Sequence, residues 1–422
     1  MLRAFVNAFK IPDLRKKILF MLFIIIVYRL GAFLPVPNVD LAVLEEQLGG
    51  ERGGILGLIN LFSGGALTNF AVFALGIMPY ITSSIIMQLL TVVIPKLEQW
   101  QKQGEVGVKK ITQWTRYMTV TLAMLQSTGL IFLFNNQFTG VVREFSAPRV
   151  AFMVITLTAG TAMIMWLGEL ITQRGIGNGM SILIFTSIIS ELPSQGAQIL
   201  SVGQVQFGVI VGIGVLTILA VVFMEQGQRR IPVQYAKRVV GRRMTAGGST
   251  YIPLKVNQAG VIPIIFASSV LYFPTLIASA APWQGFRNFV ENNLTNPGSA
   301  LYIITYGLLI VFFAYFYTAI SFNPVDTADN IRKYGGFIPG IRPGGSTAAH
   351  LQRILSRITL PGSLFLATIA LIPSIMLVIM GVDTQAFPFG GASILIVVGV
   401  ALETMKQLES QLTMRHYEGF LR

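Results

Sequence analysis

Few side chains in this chain are equipped for covalent or acid–base chemistry, and their placement argues against it. His350 and His416 are the only histidines, there is no cysteine, and no H-E-x-x-H, G-x-S-x-G or P-loop pattern occurs. Each of those patterns sets a metal ligand, a nucleophile or a phosphate cradle at a fixed spacing. The carboxylates nearest apolar segments, Glu169, Glu191, Glu225 and Glu403, stand at segment ends. Ion-coupled transporters generally need an ionisable group at membrane depth. The expectation is a protein that is not an enzyme and holds no cofactor or metal.

The side chains that remain act by excluding water. On a helix, residues four apart share a face, so Ile77 and Ile81 point one way, as do Met180 and Ile184. With Ile265 and Ile396 from two further segments they could build a narrow apolar girdle, which blocks ions and water by dewetting yet yields to a larger object. Any one of the six alone reads as an ordinary packing or lipid-facing aliphatic; the convergence of four segments carries the idea. Polar content nearby is mild: Thr82, Ser83, Ser84, Gln88, Asn178, Asn257, Ser268 and Ser269. Such groups hydrogen-bond between helices for roughly 1 kcal/mol or less each, enough to hold a seam without locking it.

These residues need a membrane to frame them. Of the 422 residues 53% are apolar and only 12% charged, against about 25% charged in ordinary soluble domains. Ten apolar segments can be counted, near 18–36, 70–94, 116–135, 150–170, 176–192, 207–224, 258–280, 300–321, 359–380 and 390–405. Alternating their connections across a bilayer leaves Arg52, Arg143, Arg149 and Arg287 on one side, Arg29 inside the first segment, and the other 26 Lys and Arg together. That asymmetry predicts both termini on the cytoplasmic side.

Two halves are also legible. The second segment reads Gly76-Ile-Met-Pro79-Tyr-Ile81 and the seventh Gly260-Val-Ile-Pro263-Ile-Ile265, each followed by paired serines. The fifth and tenth segments match as well, each with a short apolar stretch after glycine. Short or Gly/Pro-interrupted segments at corresponding places in two halves point to a functional centre. The expected fold is all-α and polytopic: ten transmembrane helices in two inverted five-helix halves, residues 1–200 and 201–422.

Ahead of the second segment lies Gly54-Ile55-Leu56-Gly57-Leu58-Ile59-Asn60-Leu61-Phe62-Ser63-Gly64-Gly65-Ala66. It is apolar but too short to span, since a core of ~30 Å takes about 20 helical residues. Composition leaves open whether it is an interfacial loop or a plug seated in a channel. Two long basic connections complete the chain. Residues 225–257 alternate apolar and basic in a β-hairpin-like pattern carrying Arg229, Arg230, Lys237, Arg238, Arg242 and Arg243, and 323–357 holds a Gly/Pro-framed turn around Arg342. Arginines so displayed suit anionic lipid, RNA phosphates or an acidic pocket on a docking protein.

The stretches LFSGGALTNFAVFALGIMPYITSSIIMQLL, WLGELITQRGIGNGMSILIF, QRRIPVQYAKRVVGRR, GVIPIIFASS, FNPVDTADNIRKYGGFIPGIRPG and SQLTMRHYEGFL closely resemble the SecY family, the channel subunits of the bacterial protein translocon. The resemblance runs essentially end to end. It implies a protein-conducting channel in the plasma membrane, clamped by SecE and often accompanied by SecG. It places the plug on 54–66 and the pore ring on Ile77, Ile81, Met180, Ile184, Ile265 and Ile396. A lateral gate is implied between the second and third spans and the seventh and eighth, with Gln88, Asn178, Asn257 and Ser268 near it. Signal peptides and nascent chains are the implied cargo, and SecA or a ribosome the implied motor docked on the basic loops, Arg342 included. Relatives often carry isoleucine where Met180 stands, which makes for a softer seal or a mapping displaced by one residue. A secondary transporter built on inverted repeats is the alternative.

Overall fold

The computed structural model describes residues 9–40, 42–44, 60, 62–137, 140–142, 145–202, 204–235, 238–240, 243–245, 249–280, 283–380 and 391–419. A helix follows from each of the ten apolar segments: α1 (Pro12–Gly31), α2 (Met78–Val93), α4 (Glu105–Gln137), α5 (Ala147–Arg174), α6 (Gly179–Val202), α7 (Gln204–Gln226), α8 (Ile262–Ala280), α10 (Ala300–Ser321), α12 (Gly345–Met380) and α13 (Gly391–Gly419). Between them lie the shorter α3 (Pro95–Lys102), α9 (Gln284–Val290) and α11 (Pro324–Lys333). Proline opens α1, α2, α3, α5 and α11 within their first two positions, where its missing N–H costs nothing and its fixed φ suits the helix.

Among the described residues, α4, α5, α7, α10 and α12 are each long and apolar enough to cross a bilayer alone. By contrast α2 is only 16 residues long, and the apolar runs of α6 (Gly179–Pro193) and α8 (Ile262–Leu271) are also short. The central elements are thus the short ones. This corrects the expected span over 70–94: residues 64–77 are turns around a single β-bridge of Ala71 to Pro35 rather than helix, and past Val93 the chain bends by 100° into α3. Several helices also outrun their apolar segments. Helix α12 starts 14 residues before position 359, so roughly 20 Å of it projects beyond the apolar span.

The two halves repeat their packing. In the first, α2 packs on α4, α4 on α5 and α5 on α6, with α1 against α5 and α6; in the second, α8 packs on α10, α10 on α12 and α12 on α13, with α7 against α13. The matched motif has a matched backbone. Gly76 has φ +55° and Gly260 φ +62°, and each helix starts two residues later, at Met78 and Ile262. A left-handed residue is easy only for glycine, so these two glycines re-aim the chain before a Pro-started helix in both halves. The halves meet along α8 with α2 and α4, and along α6 with α7 and α13.

One end carries a small sheet. Strand β1 (Gln228–Tyr235) pairs antiparallel with β4 (Ser249–Lys255), from Gln228↔Lys255 to Gln234↔Ser249, and β5 (Gly336–Phe337) adds to its other edge. Between β1 and β4 in the chain, β2 (Arg238–Val240) and β3 (Arg243–Thr245) pair antiparallel as a separate two-stranded sheet. Ile231, Val233 and Leu254 turn inward onto Ile331, Ile338 and Leu351, while Arg229, Arg230 and Pro232 face out, the period-2 alternation of a one-sided sheet.

Candidate pore centre and basic loops

All six expected ring residues fall in one buried apolar cluster. Ile77 caps α2 and its carbonyl accepts the N–H of Ile81 (3.1 Å), so the pair holds helical spacing although Ile77 precedes the helix proper. Ile81, Met180 and Ile265 keep 8% exposure while Ile184 keeps 3%, Ile77 1% and Ile396 none. Three side chains therefore retain a rim of accessible surface and three are sealed in packing. Met180 lies over α5: a Cβ added at Gly168 would overlap its Sδ, so the glycine leaves the notch that the thioether fills. Its unbranched chain suits such a gap. Gly399, one turn from Ile396, likewise lets α13 close on Val261, with a built Cβ only 2.7 Å from its Cγ1.

Beside the cluster is a cavity of about 530 Å³ with Asn178, Glu225, Asn257, Glu403 and Lys406 in its walls and Ile265 at its edge.

Of the stretch 54–66, Gly54, Ile55, Leu56, Gly57, Leu58, Ile59 and Leu61 lie outside the described residues. Phe62 is 2% exposed and belongs to the same cluster as the ring; Ser63 and Ala66 are fully buried. The turns after it are tied down locally. Leu67 N–H donates to Ser63 Oγ (3.2 Å), Thr68 Oγ1 to Gly65 O (2.7 Å) and Ala71 N–H to Ala66 O (2.8 Å). Gly76 abuts this segment, since a Cβ there would sit 2.8 Å from Phe62 O.

The expected gate residues hydrogen-bond within their own halves. Asn178 Oδ1 accepts from Met180 N–H (3.1 Å), capping α6. Asn257 Nδ2 donates to Glu225 Oε1 (2.5 Å) and Gly260 O (3.0 Å), tying the turn before α8 to the end of α7. Ser268 Oγ pairs with Tyr306 OH (3.1 Å), stitching α8 to α10, and Ser83 Oγ donates to Thr115 O (2.8 Å), stitching α2 to α4. Gln88 is half-buried on α2, where its carbonyl accepts from Thr91 Oγ1 (2.6 Å). Among the described residues, the side-chain bonds of Ser83, Asn257 and Ser268 therefore run within their own wall rather than across the α2/α4–α8 seam.

In the basic loops, Lys237 and Arg242 lie outside the described residues, while Arg238 and Arg243 fall on β2 and β3. Arg229 and Arg230 are exposed, and the Arg230 guanidinium stacks 4.8 Å over the Tyr251 ring. Arg342 is exposed on a turn between Gly340 (φ +81°) and Gly344 (φ +102°). Local contacts hold that turn: Ile338 is buried, Ile341 N–H donates to Ile338 O (3.0 Å) and Thr347 Oγ1 to Arg342 O (3.0 Å).

One residue with a built environment was not singled out from sequence. Arg29, near the end of α1, donates through Nη1 to Gly64 O (2.6 Å) and Ser190 Oγ (2.8 Å) and stacks over Phe33. Its signal was present, since a lone arginine inside an apolar segment is a functional hypothesis by default.

Comparison with known proteins agrees with this architecture. A family model described as SecY matches residues 71–405. "Protein translocase subunit SecY" of Streptomyces galbus is 58% identical, with both chains covered in full. Among solved structures, one titled "The structure of a protein conducting channel" superposes with TM-score 0.66 at 16% identity, covering 94% of this chain and 92% of that one. A Sec61 chain from a canine ribosome–channel complex superposes at TM-score 0.63 and 16% identity, with 94% and 92% covered. Nothing among these matches supports the transporter alternative. This multi-pass membrane chain belongs to the SecY family.

Proposed function

We propose that the chain is the protein-conducting channel of a Sec translocon in the plasma membrane, with both termini cytoplasmic. Unfolded secretory polypeptides pass through the girdle of Ile77, Ile81, Met180, Ile184, Ile265 and Ile396. Apolar segments leave sideways between α2/α4 and α8/α10. The chain itself does no catalysis: SecA or a ribosome supplies the push, docked on the sheet and the Arg342 turn, while SecE, and SecG where present, brace the two halves, 1–200 and 201–422. The observation that supports this reading is that all six side chains are buried in one apolar cluster, and that Ile265 also lines a cavity with Asn178, Glu225 and Asn257 in its walls.

The mechanism follows from the two kinds of contact. A signal peptide entering the α2/α4–α8 seam displaces lipid and apolar packing rather than hydrogen bonds, because the polar groups of each wall are bonded within it. At ~25 cal/mol per Å² of apolar area, a dozen-residue apolar helix supplies several kcal/mol toward parting the walls. The segment 54–66 then leaves the funnel, and the girdle closes around the moving chain without a specific bond to remake.

The test is cross-linking. With a photoreactive amino acid at position 81 and a stalled secretory chain, the adduct forms on the stalled chain. Labelling only by a small solute would return the transporter reading; no adduct at all would leave a membrane scaffold.

A further inference from the structure

We infer that the end of the bundle away from the sheet holds a binding site for one acyl chain: a cavity between α6, α7, α12 and α13, with the Ser393 hydroxyl as the seat for the chain's carbonyl or carboxyl group. The site goes beyond the channel reading and does not depend on it.

The cavity measures about 410 Å³, within the range of small-molecule sites. Ile188 and Leu192 of α6, Phe207 and Ile210 of α7, Met376 of α12 and Val397 of α13 stand in its walls, and no charged residue lines it. Two wall residues are glycines, Gly196 on α6 and Gly214 on α7, and a Cβ built on either meets nothing within 4 Å. At Gly168 and Gly399, by contrast, an added Cβ would strike a neighbouring side chain. The helices therefore leave room here that no side chain of the lining fills. An apolar space of this kind does not draw water, and its walls lack the dispersion contacts that an apolar occupant would restore.

One group is out of keeping with this lining. Ser393, near the start of α13, is 2% exposed and lines the cavity, yet among the described residues its Oγ has no hydrogen-bond partner. Other hydroxyls of the apolar helices donate to a carbonyl four residues back, as Thr186, Ser268 and Thr318 do. A buried hydroxyl left unpaired is unfavourable, and serine offers one O–H to an acceptor. The matching ligand is apolar along its length with an acceptor at one end.

The route of entry fixes its class. Val211, Val215 and Ile218 line the cavity and are also exposed on α7, the most apolar and least buried of the long spans. The cavity thus opens towards hydrocarbon, and its uncharged walls admit a tail but not a charged headgroup. With its acceptor at Ser393, close to the helix start, the tail runs inward past Ile394 and Val397. There it meets the back of the ring, because Ile188 and Val398 belong to the same apolar cluster as the six ring residues.

The test is photolabelling of the chain, purified with its co-purifying membrane subunits, in vesicles of phosphatidylethanolamine and phosphatidylglycerol. One arm contains phosphatidylglycerol with a diazirine in its acyl chain, the other diazirine-bearing palmitic acid. Adducts are expected on Met376, Ile394 or Val397, and the arm that gives them identifies membrane lipid or free fatty acid as the source. Gly214→Leu, which occupies the room, should abolish those adducts while lipid-facing Leu219 and Phe223 label as before; Gly196→Leu does the same from α6 if Gly214→Leu fails to assemble. Ser393→Ala should lower cavity labelling about twofold to tenfold, the worth of one hydrogen bond, and Ser393→Thr should restore it. Cavity labelling that is absent in both arms, or unchanged by both glycine variants, overturns the site. Wild-type labelling in Ser393→Ala overturns the seat. A photoreactive residue in place of Ile213 that captures a co-purifying transmembrane helix instead of lipid gives the cavity to a protein partner and overturns the acyl chain. None of these outcomes touches the channel reading, which stands or falls on the stalled-chain adduct at position 81.

Discussion

The centre of this molecule and its sheet-bearing face are built on opposite principles. At the centre, Ile77 and five apolar side chains of α2, α6, α8 and α13 are buried within one large apolar cluster. At the face, a single exposed arginine sits on a turn held by two left-handed glycines, a buried Ile338 beneath and two hydrogen bonds around it. Hydrophobic contact is non-directional and scales with area, so the centre can give way in many directions and close again. A hydrogen-bonded turn has one geometry, so the face presents its one charge in a fixed position. Under the proposed function, a seal that yields and a dock that does not are served by different physics in the same chain.

The largest effect should come from making the centre polar. Replacing Ile81 and Ile265 together with serine removes two of the three ring side chains that keep accessible surface and lets water wet the constriction. Resting ion conductance in a planar bilayer should rise by more than tenfold, while transport driven by the motor persists. Unchanged conductance would mean that the cluster is packing alone.

The face should answer to charge rather than to wetting. Arg342→Glu reverses the one charge displayed on the turn, and SecA-driven transport into reconstituted vesicles should fall at least tenfold with resting conductance and purification yield unchanged. Arg342→Lys should lose only a few-fold, since lysine keeps the charge but not the planar fork. Wild-type transport by Arg342→Glu would remove this residue from the docking set.

Those contrasts were unequally legible in the sequence. The ten apolar segments each led to a helix, and the Gly-x-x-Pro match marked Gly76 and Gly260, whose left-handed backbones start two equivalent helices. The burial of Ile77, Ile81, Met180, Ile184, Ile265 and Ile396 in one apolar cluster was readable because burial follows apolarity. What hid was everything decided by a nearest partner. Apolar count made one span of 70–94, where positive-φ Gly76 and Pro79 instead break it into turns and a 16-residue helix. Ser268 and Asn257 read as seam polar groups, yet each finds a partner on its own wall, Tyr306 and Glu225. Arg29 was counted only as a charge out of place, because its acceptors lie 35 and 161 residues away.

A smaller effect should follow from loosening the dock without touching its charge. Gly340 has φ +81° and nothing within 4 Å of where a Cβ would stand. Gly340→Ala therefore strains only the backbone, by roughly 1–2 kcal/mol. Because the turn is not the only contact, SecA affinity measured on vesicles should drop about fivefold to tenfold, less than for Arg342→Glu. A loss equal to that of Arg342→Glu would show that turn shape, not the arginine, is what the partner reads.

The smallest effect belongs back at the centre, and it tests the comparison most directly. If the seal is non-directional, a change of shape at constant volume should hardly register. Met180→Leu keeps an apolar side chain of similar size, and such swaps usually cost below about 1.5 kcal/mol. Resting conductance should stay within about twofold of wild type. Gly168→Ala is the counterpart: the added methyl would overlap Met180 Sδ, so the thioether must leave its notch on α5 and crowd the ring. Overpacking of that kind typically costs 1–3 kcal/mol, and it should show first as lost thermal stability, with leak following only where the ring cannot repack. Combining Gly168→Ala with Met180→Ala should restore stability in part. If instead Met180→Leu alone leaked strongly, the ring would depend on the particular reach of the methionine, and the centre would be as directional as the face.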